Sequence, residues 1–232
     1  MQAVILAAGV GTRLGRPFPK SLSILPTGER ILGRQIRLLR EAGIRSVTVV
    51  VGFKKSLIME EYPEVLYSYN PVYYVTNTSK SLLHALRHKD DDIIWMNGDV
   101  IFDPEILHTA LSSPTANLVC VDKKRCADEE VKYRVNEHGM ITELSKTVPQ
   151  PQGEAVGINI VRKEHLPAFV AALESCHELD YFEKAIETCI QQGMLWQPLD
   201  ISTHRCIEVD FLEDWEAAQK LFPEHEEQGI FS

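Results

Sequence analysis

The sequence predicts an α/β fold with a mostly parallel sheet and flanking helices, and three observations lead to it. First, short apolar runs recur through the first half of the chain, at residues 3–6, 46–51, 65–69 and 92–96. Most lack polar alternation, as strands buried on both faces do. Second, stretches with helical spacing fall between and after them, at 31–42, 79–88 and 104–111. Third, turn residues separate the two kinds of segment. Strand and helix alternating in this way imply right-handed crossovers and a Rossmann-like sheet.

Each element has its own warrant. Ala3-Val4-Ile5-Leu6 runs into Ala7-Ala8-Gly9, so the first strand ends in small residues. Ile31, Ile36, Leu38 and Leu39 lie near helical spacing, and Gly43 is a stop signal. Val47 to Val51 form a β-branched strand closed by Gly52. Pro104 suits the first turn of a helix. The second half changes character. Segments 131–135 and 140–144 alternate and flank Asn136-Glu137-His138-Gly139, which predicts a hairpin. A strand at 155–161 and helices near 165–176, 181–192 and 211–222 complete the reading. One domain over residues 1–232 is expected, with a small β-rich insertion near 123–160 over one mouth of the sheet.

Composition excludes several classes. With 44% hydrophobic and 25% charged residues the chain has the make-up of a folded globular protein. Its net charge of −9 argues against general nucleic-acid or membrane-surface binding, leaving anions to locally basic pockets. No apolar run approaches a membrane span, and the N-terminus lacks the basic start of a signal peptide. The five cysteines, with no CxxC pair, suggest buried thiols rather than disulfides or zinc, so a cytoplasmic location is expected. His84 and His88 stand four apart, but without an HExxH glutamate they read as helix surface rather than a zinc pair.

The loop after the first strand carries the chemistry. It reads Leu6-Ala7-Ala8-Gly9-Val10-Gly11-Thr12-Arg13-Leu14-Gly15-Arg16-Pro17-Phe18-Pro19-Lys20. Small residues here let backbone N–H groups approach an anion closely. A Walker A loop is excluded, because no Lys-Ser/Thr pair follows a glycine at the required place. A dinucleotide fingerprint, and with it an NAD(P)-dependent oxidoreductase, is the alternative from another class. It needs a long helix directly after the glycines, where Pro17 and Pro19 stand. An extended loop around a nucleoside triphosphate, with Arg13 and Lys20 on its phosphates, fits the residues better.

LAAGxGTRL followed by PK resembles the signature of the sugar-phosphate nucleotidyltransferases. The resemblance extends down the chain. Asn97-Gly98-Asp99 closes the fourth strand, and Cys206 to Trp215 is similar to the family's E-I-D-x-x-x-D element. Asn70, Tyr73, Asn77, Ser81 and Leu82 follow a spacing like that of the choline-phosphate and aminoethylphosphonate cytidylyltransferase branch. Glu130-Val131-Lys132, Ser145-Lys146 and Gly153-Glu154 resemble further elements of that branch.

The resemblance implies a nucleotide-diphospho-sugar transferase type of fold. It implies transfer of a nucleoside monophosphate from an NTP, with CTP favoured, to a phosphorylated or phosphonate small molecule, with release of pyrophosphate. A sugar-1-phosphate or polyol-phosphate acceptor is the alternative within the class. Asp99 and Asp210 would hold Mg²⁺, and Arg13 and Lys20 would be the catalytic cations. Leu6, Ala7, Ala8, Gly9, Gly11, Thr12, Asn77 and Ser81 would bind the nucleotide, and Lys132, Lys146 and Glu154 the acceptor. Tyr67, Tyr69, Tyr73 and Tyr74 could cage a cationic amine or simply pack.

Overall fold

The computed structural model describes residues 1–224 except Thr12, Leu14, Arg16, Pro114, Thr115 and Arg125. Eight strands of the main sheet follow from the sequence pattern or flank it: β1 (Gln2–Ala7), β2 (Val47–Val51), β3 (Leu66–Tyr69), β4 (Ile93–Asn97), β6 (Asn117–Asp122), β7 (Lys132–Val135), β8 (Ile141–Ser145) and β9 (Gly153–Val161). β10 (Trp196–Asp200) is the ninth. The main path runs β10-β6-β9-β4-β1-β2-β3, with β7 and β8 attached at β9. Pairing is parallel between β1 and β2, β2 and β3, β1 and β4, and β6 and β10. β9 is antiparallel to both β4 and β6. A separate ribbon pairs β5 (Val100–Phe102) with β11 (Cys206–Glu208).

The strands read as continuous apolar runs because both faces are covered. Ala3, Ile5 and Ala7 point into a core shared with Leu32, Ile36 and Leu39 of α1 (Ile31–Glu41) and Ile106, Leu107 and Ala110 of α4 (Pro104–Leu111). Val4, Leu6 and Ala8 join the opposite core. There they meet α3 (Thr78–Leu86), α5 (Leu166–Ser175) and α6 (Glu183–Gln191). Trp95 of β4 anchors that side, stacked on Phe169 with centroids 5.1 Å apart and edge-on to Phe182 and Trp196. A smaller cluster of Leu25, Ile31, Ile101, Val209, Trp215 and Phe222 seats α7 (Leu212–Leu221). The remaining helix, α2 (Lys55–Glu61), connects β2 to β3. No helix among the described residues is long and apolar enough to cross a membrane.

The topology points to one place. From β1 the chain crosses to β2 and β3 on one side, then returns to β4 on the other. The carboxyl ends of β1 and β4 therefore flank a topological switch point, where open α/β sheets bind ligands. The glycine loop leaves β1 there, and Asn97-Gly98-Asp99 leaves β4 beside it. The long helix that a dinucleotide fingerprint requires is missing among the described residues. Between β1 and α1, which begins at Ile31, the described residues include a 3-10 turn at Lys20–Leu22 and no α-helix.

The segment expected as an insertion divides in two. β7 and β8 form the hairpin read from the sequence. β9, by contrast, lies inside the main sheet between β4 and β6. Periodicity shows that 155–161 is a strand, but carries no information on its neighbours or its direction.

Candidate active site

Local structure brings three distant residues together. β5 and β11 pair antiparallel, Val100 opposite Glu208, and the Val209 N–H donates to the Asp99 carbonyl at 3.1 Å. Asp99, just before β5, therefore lies beside Asp210, just after β11. Lys20 reaches them from the end of the glycine loop. Its position is fixed by buried Ser21 and Leu22 in the 3-10 turn and by the stem of its own side chain against Gly11. Gly11 has φ +63°, and a Cβ there would lie 2.6 Å from the Lys20 Cγ, so this loop position requires glycine twice over.

The Lys20 Nζ sits 2.6 Å from Asp99 Oδ2 and 2.5 Å from Asp210 Oδ1. Burial works to lower the Lys20 pKa, but the two carboxylates outweigh it and hold the ammonium above its ordinary value. Arg13 adds a second cation, 3.4 Å from Asp210 and over the Phe211 ring. Glu208 lies next to this group and accepts a 3.0 Å hydrogen bond from Asn97. It keeps a solvent-facing edge. Partial desolvation, then the charges of Asp99 and Asp210, raise its carboxyl above the ordinary value.

A second group lies beyond Arg13. Glu129 pairs with Arg13 at 3.7 Å and with Lys146 at 3.1 Å. The Lys146 ammonium also stands 4.9 Å over the Tyr181 ring. Burial opposes the charge on Lys146, and Glu129 and Tyr181 restore it above the ordinary lysine value. Lys132 is turned to structural use, donating to the carbonyls of Lys146, Asp128 and Glu130. Glu154 pairs with Lys124 at 2.7 Å. Burial pushes its carboxyl up to about 7, with Lys124 opposing and Glu130 adding to the shift.

The residues expected at the nucleotide divide. Leu6, Ala7 and Ala8 are buried at the end of β1, and Gly9 and Gly11 follow at the mouth of the switch point. Thr12 lies outside the described residues. Asn77 caps α3, accepting from the Thr78 N–H at 2.8 Å and donating to the Leu179 carbonyl at 3.2 Å. Ser81 is buried and accepts from Asn70 at 3.1 Å. Among the described residues, neither side chain bonds to Lys20, Asp99 or Asp210. Tyr67 is occupied with the Tyr62 and Ile58 carbonyls, so it packs α2.

Sequence reasoning missed Glu129, Tyr181 and Glu208 as neighbours of these cations. Glu208 stood within the quoted E-I-D element, so its position two residues before Asp210 was a usable signal. Glu129 directly precedes the quoted Glu130-Val131-Lys132 element, whereas Tyr181 had no such signal, since only the fold brings residues 13, 129, 146 and 181 together.

Asp99 and Asp210 fit a divalent cation. Their carboxylate oxygens suit a hard ion. Asp99 Oδ1 is buried and accepts no hydrogen bond, so one lone-pair face remains for a ligand. A different trio, Asp103, Glu105 and His204, brings ligand atoms within 4.8 Å of one another at the opposite end of the β5–β11 ribbon. There Asp103 is already engaged by Arg205 at 2.7 Å.

Comparison with known proteins agrees with the architecture. The model of the MobA-like NTP transferase domain matches residues 3–221. CMP-5'-(3-aminopropyl)phosphonate synthase of Streptomyces rubellomurinus is 29% identical over 256 residues, covering 99% of this chain, which spans 40% of that relative's length. UTP–glucose-1-phosphate uridylyltransferase of Haloferax volcanii is 29% identical over 249 residues and 99% of both chains. The structure of the CTP:phosphocholine cytidylyltransferase from Streptococcus pneumoniae superposes with a TM-score of 0.77 at 18% identity, covering 95% of this chain and 98% of the other.

Proposed function

The chain belongs to the MobA-like NTP transferase domain family, and from that premise we propose that this nucleotidyltransferase moves CMP from CTP to a small phosphorylated or phosphonate acceptor. The observation that carries the reading is the Lys20 ammonium held between Asp99 and Asp210 at the switch point. In the reaction an acceptor oxygen attacks the α-phosphorus, a new P–O bond forms, the α–β bond breaks, and pyrophosphate leaves. A phosphate monoester acceptor is largely dianionic at pH 7, its second pKa being about 6, so no general base is required. The barrier is repulsion between two polyanions.

This chain's own groups answer that repulsion. Backbone N–H groups from Ala8 to Gly11 cradle the triphosphate. Arg13 neutralises the departing pyrophosphate, and Lys20 the charge developing around the α-phosphate. Lys146 holds the acceptor phosphate or phosphonate. Asp99 and Asp210 would hold Mg²⁺, which when bound supplies further positive charge to the phosphate oxygens.

Without substrate, Glu129 occupies the cations meant for it. Both Arg13 and Lys146 contact its carboxylate, which is largely exposed. Substrate anions displace it, and Glu129→Gln is expected to lower KM for CTP or acceptor about two- to fivefold, the scale of exposed ion pairs. A raised KM in steady-state pyrophosphate release would contradict this role.

CTP is supported by the names of the phosphonate synthase and the phosphocholine enzyme. A second reading, uridylyl transfer to a sugar 1-phosphate, draws on the Haloferax volcanii relative, which is equally identical over its whole length. A pyrophosphate-release screen separates them. It crosses the four NTPs with phosphocholine, 2-aminoethylphosphonate, glucose 1-phosphate and inositol 1-phosphate. CTP with an amine-bearing acceptor is expected to give the highest kcat/KM. UTP with glucose 1-phosphate as the best pair would establish the second reading instead, and no release from any pair would refute both.

A further inference from the structure

We propose that Gln35 is the positioning residue that fixes the Asp99 carboxylate, an inference that rests on the nucleotidyl-transfer reading of that carboxylate. Gln35 lies on α1, is 1% exposed, and shares the buried face of that helix with five aliphatic side chains and Arg34. A buried amide in such a stripe needs polar partners. It finds them in one place. Its Nε2 donates to the Asn97 carbonyl and to the Val100 carbonyl, each at 2.8 Å. These two carbonyls bracket the Asn97-Gly98-Asp99-Val100 turn, so one amide closes the base of the segment carrying Asp99.

The orientation of the amide is determined. Turning it over would place an oxygen against two carbonyl oxygens and forfeit both bonds. Its Oε1 is buried with no hydrogen-bond partner, so the side chain serves only as a double donor.

The turn is held on other sides as well. The Gly98 N–H donates to the Leu6 carbonyl at 2.9 Å, and a Cβ at Gly98 would lie 2.7 Å from that oxygen. The Val209 N–H binds the Asp99 carbonyl at 3.1 Å. Those contacts fix the turn to β1 and to β11. Gln35 alone among these ties it to the helix layer. Outer partners that hold ligating carboxylates typically matter about 10–100-fold for metal affinity or activity.

The test compares the wild type with Gln35→Met, which keeps side-chain length but loses both donors, and with Ile36→Val. The latter removes one methylene from the core beside it on α1 and leaves both Gln35 hydrogen bonds in place, so it controls for loss of stability. Binding of Mn²⁺ alone is read by electron paramagnetic resonance at a temperature where circular dichroism shows all three folded. Gln35→Met is expected to raise the Mn²⁺ Kd about 10–100-fold, and Ile36→Val to leave it unchanged. In metal-free crystals of Gln35→Met the contact between Asp99 and Lys20, 2.6 Å in the wild type, is expected to be lost. A Gln35→Met Kd within twofold of wild type, or a turn that superposes with that contact kept, overturns the inference. Wild-type protein that releases no pyrophosphate with any substrate pair would defeat the functional reading separately, while the crystals would still decide the role of Gln35.

Discussion

Lys20→Ala is expected to lower kcat about 10²–10³-fold or more, the scale for removing one preorganised electrostatic stabiliser from a reacting phosphate. The expectation follows from position. The Lys20 side chain is only 16% exposed, and two carboxylates hold its ammonium charged. Its charge is therefore present at every working pH and is already oriented before substrate arrives. Alanine removes that charge and leaves Asp99 without its ammonium and Asp210 with Arg13 alone. Substrate anions would then meet a more negative cleft, so KM for CTP should rise as kcat falls. Lys20→Arg keeps the charge but enlarges it beside Gly11, whose absent Cβ the lysine stem already fills, so it should rescue only part of the rate. Initial rates of pyrophosphate release check both variants, and near-normal turnover in Lys20→Ala would remove the residue from the mechanism.

Glu183→Gln is expected to change the pH dependence of stability by on the order of 3 kcal/mol between about pH 4.5 and 7, from a shift at about 1.36 kcal/mol per pKa unit. Glu183 opens α6, is 7% exposed, and its Oε2 has no hydrogen-bond partner. Burial pushes its carboxyl from the ordinary 4.5 up to about 7, against an opposing hydrogen bond from the backbone and the charge of Lys146. The sign follows from proton counting. Below about pH 4.5 folded and unfolded chains both carry the proton. Between 4.5 and 7 the folded chain keeps a proton that the unfolded chain releases, so this residue's contribution to stability falls as pH rises. Above 7 the loss is complete. Glutamine cannot titrate, so the variant should lack this fall whatever constant offset its own amide introduces. Glu154, also raised to about 7, titrates in the same window, but it is common to both proteins and cancels in their difference. Urea midpoints from pH 4 to 8 check the result. Parallel curves for variant and wild type would show that Glu183 ionises normally.

The parts of the fold legible in the sequence are those set by local pattern. The runs at 3–6 and 92–96 became β1 and β4, and 104–111 matched α4 with Pro104 at its start. Strands of three residues, such as β5 and β11, were not read, because Val100 to Phe102 and Cys206 to Glu208 are too short to show a period. Yet that pairing is what sets Asp99 beside Asp210. Their association was legible only through resemblance to a family, since 111 residues separate them in the chain. The expected use of the glycine loop rests on chemistry, because small residues, two basic side chains and prolines together admit few uses. Asn77 and Ser81 also have local partners in the structure: the Asn77 side chain caps α3, and Ser81 accepts from the buried Asn70. Gln35 was invisible as a functional residue, since one amide in a largely aliphatic helix stripe gives no sign of which turn it reaches.

Asp99 and Asp210 are proposed to share one divalent cation opposite Arg13 and Lys20, and anomalous diffraction from crystals soaked with MnCl₂ and a non-hydrolysable CTP analogue decides whether they do. A manganese peak bridging Asp99, Asp210 and the nucleotide phosphates, with the Lys20 ammonium turned onto a phosphate oxygen, is the predicted result. A peak at Asp103, Glu105 and His204 instead, or a nucleotide bound with no metal between residues 99 and 210, would contradict it.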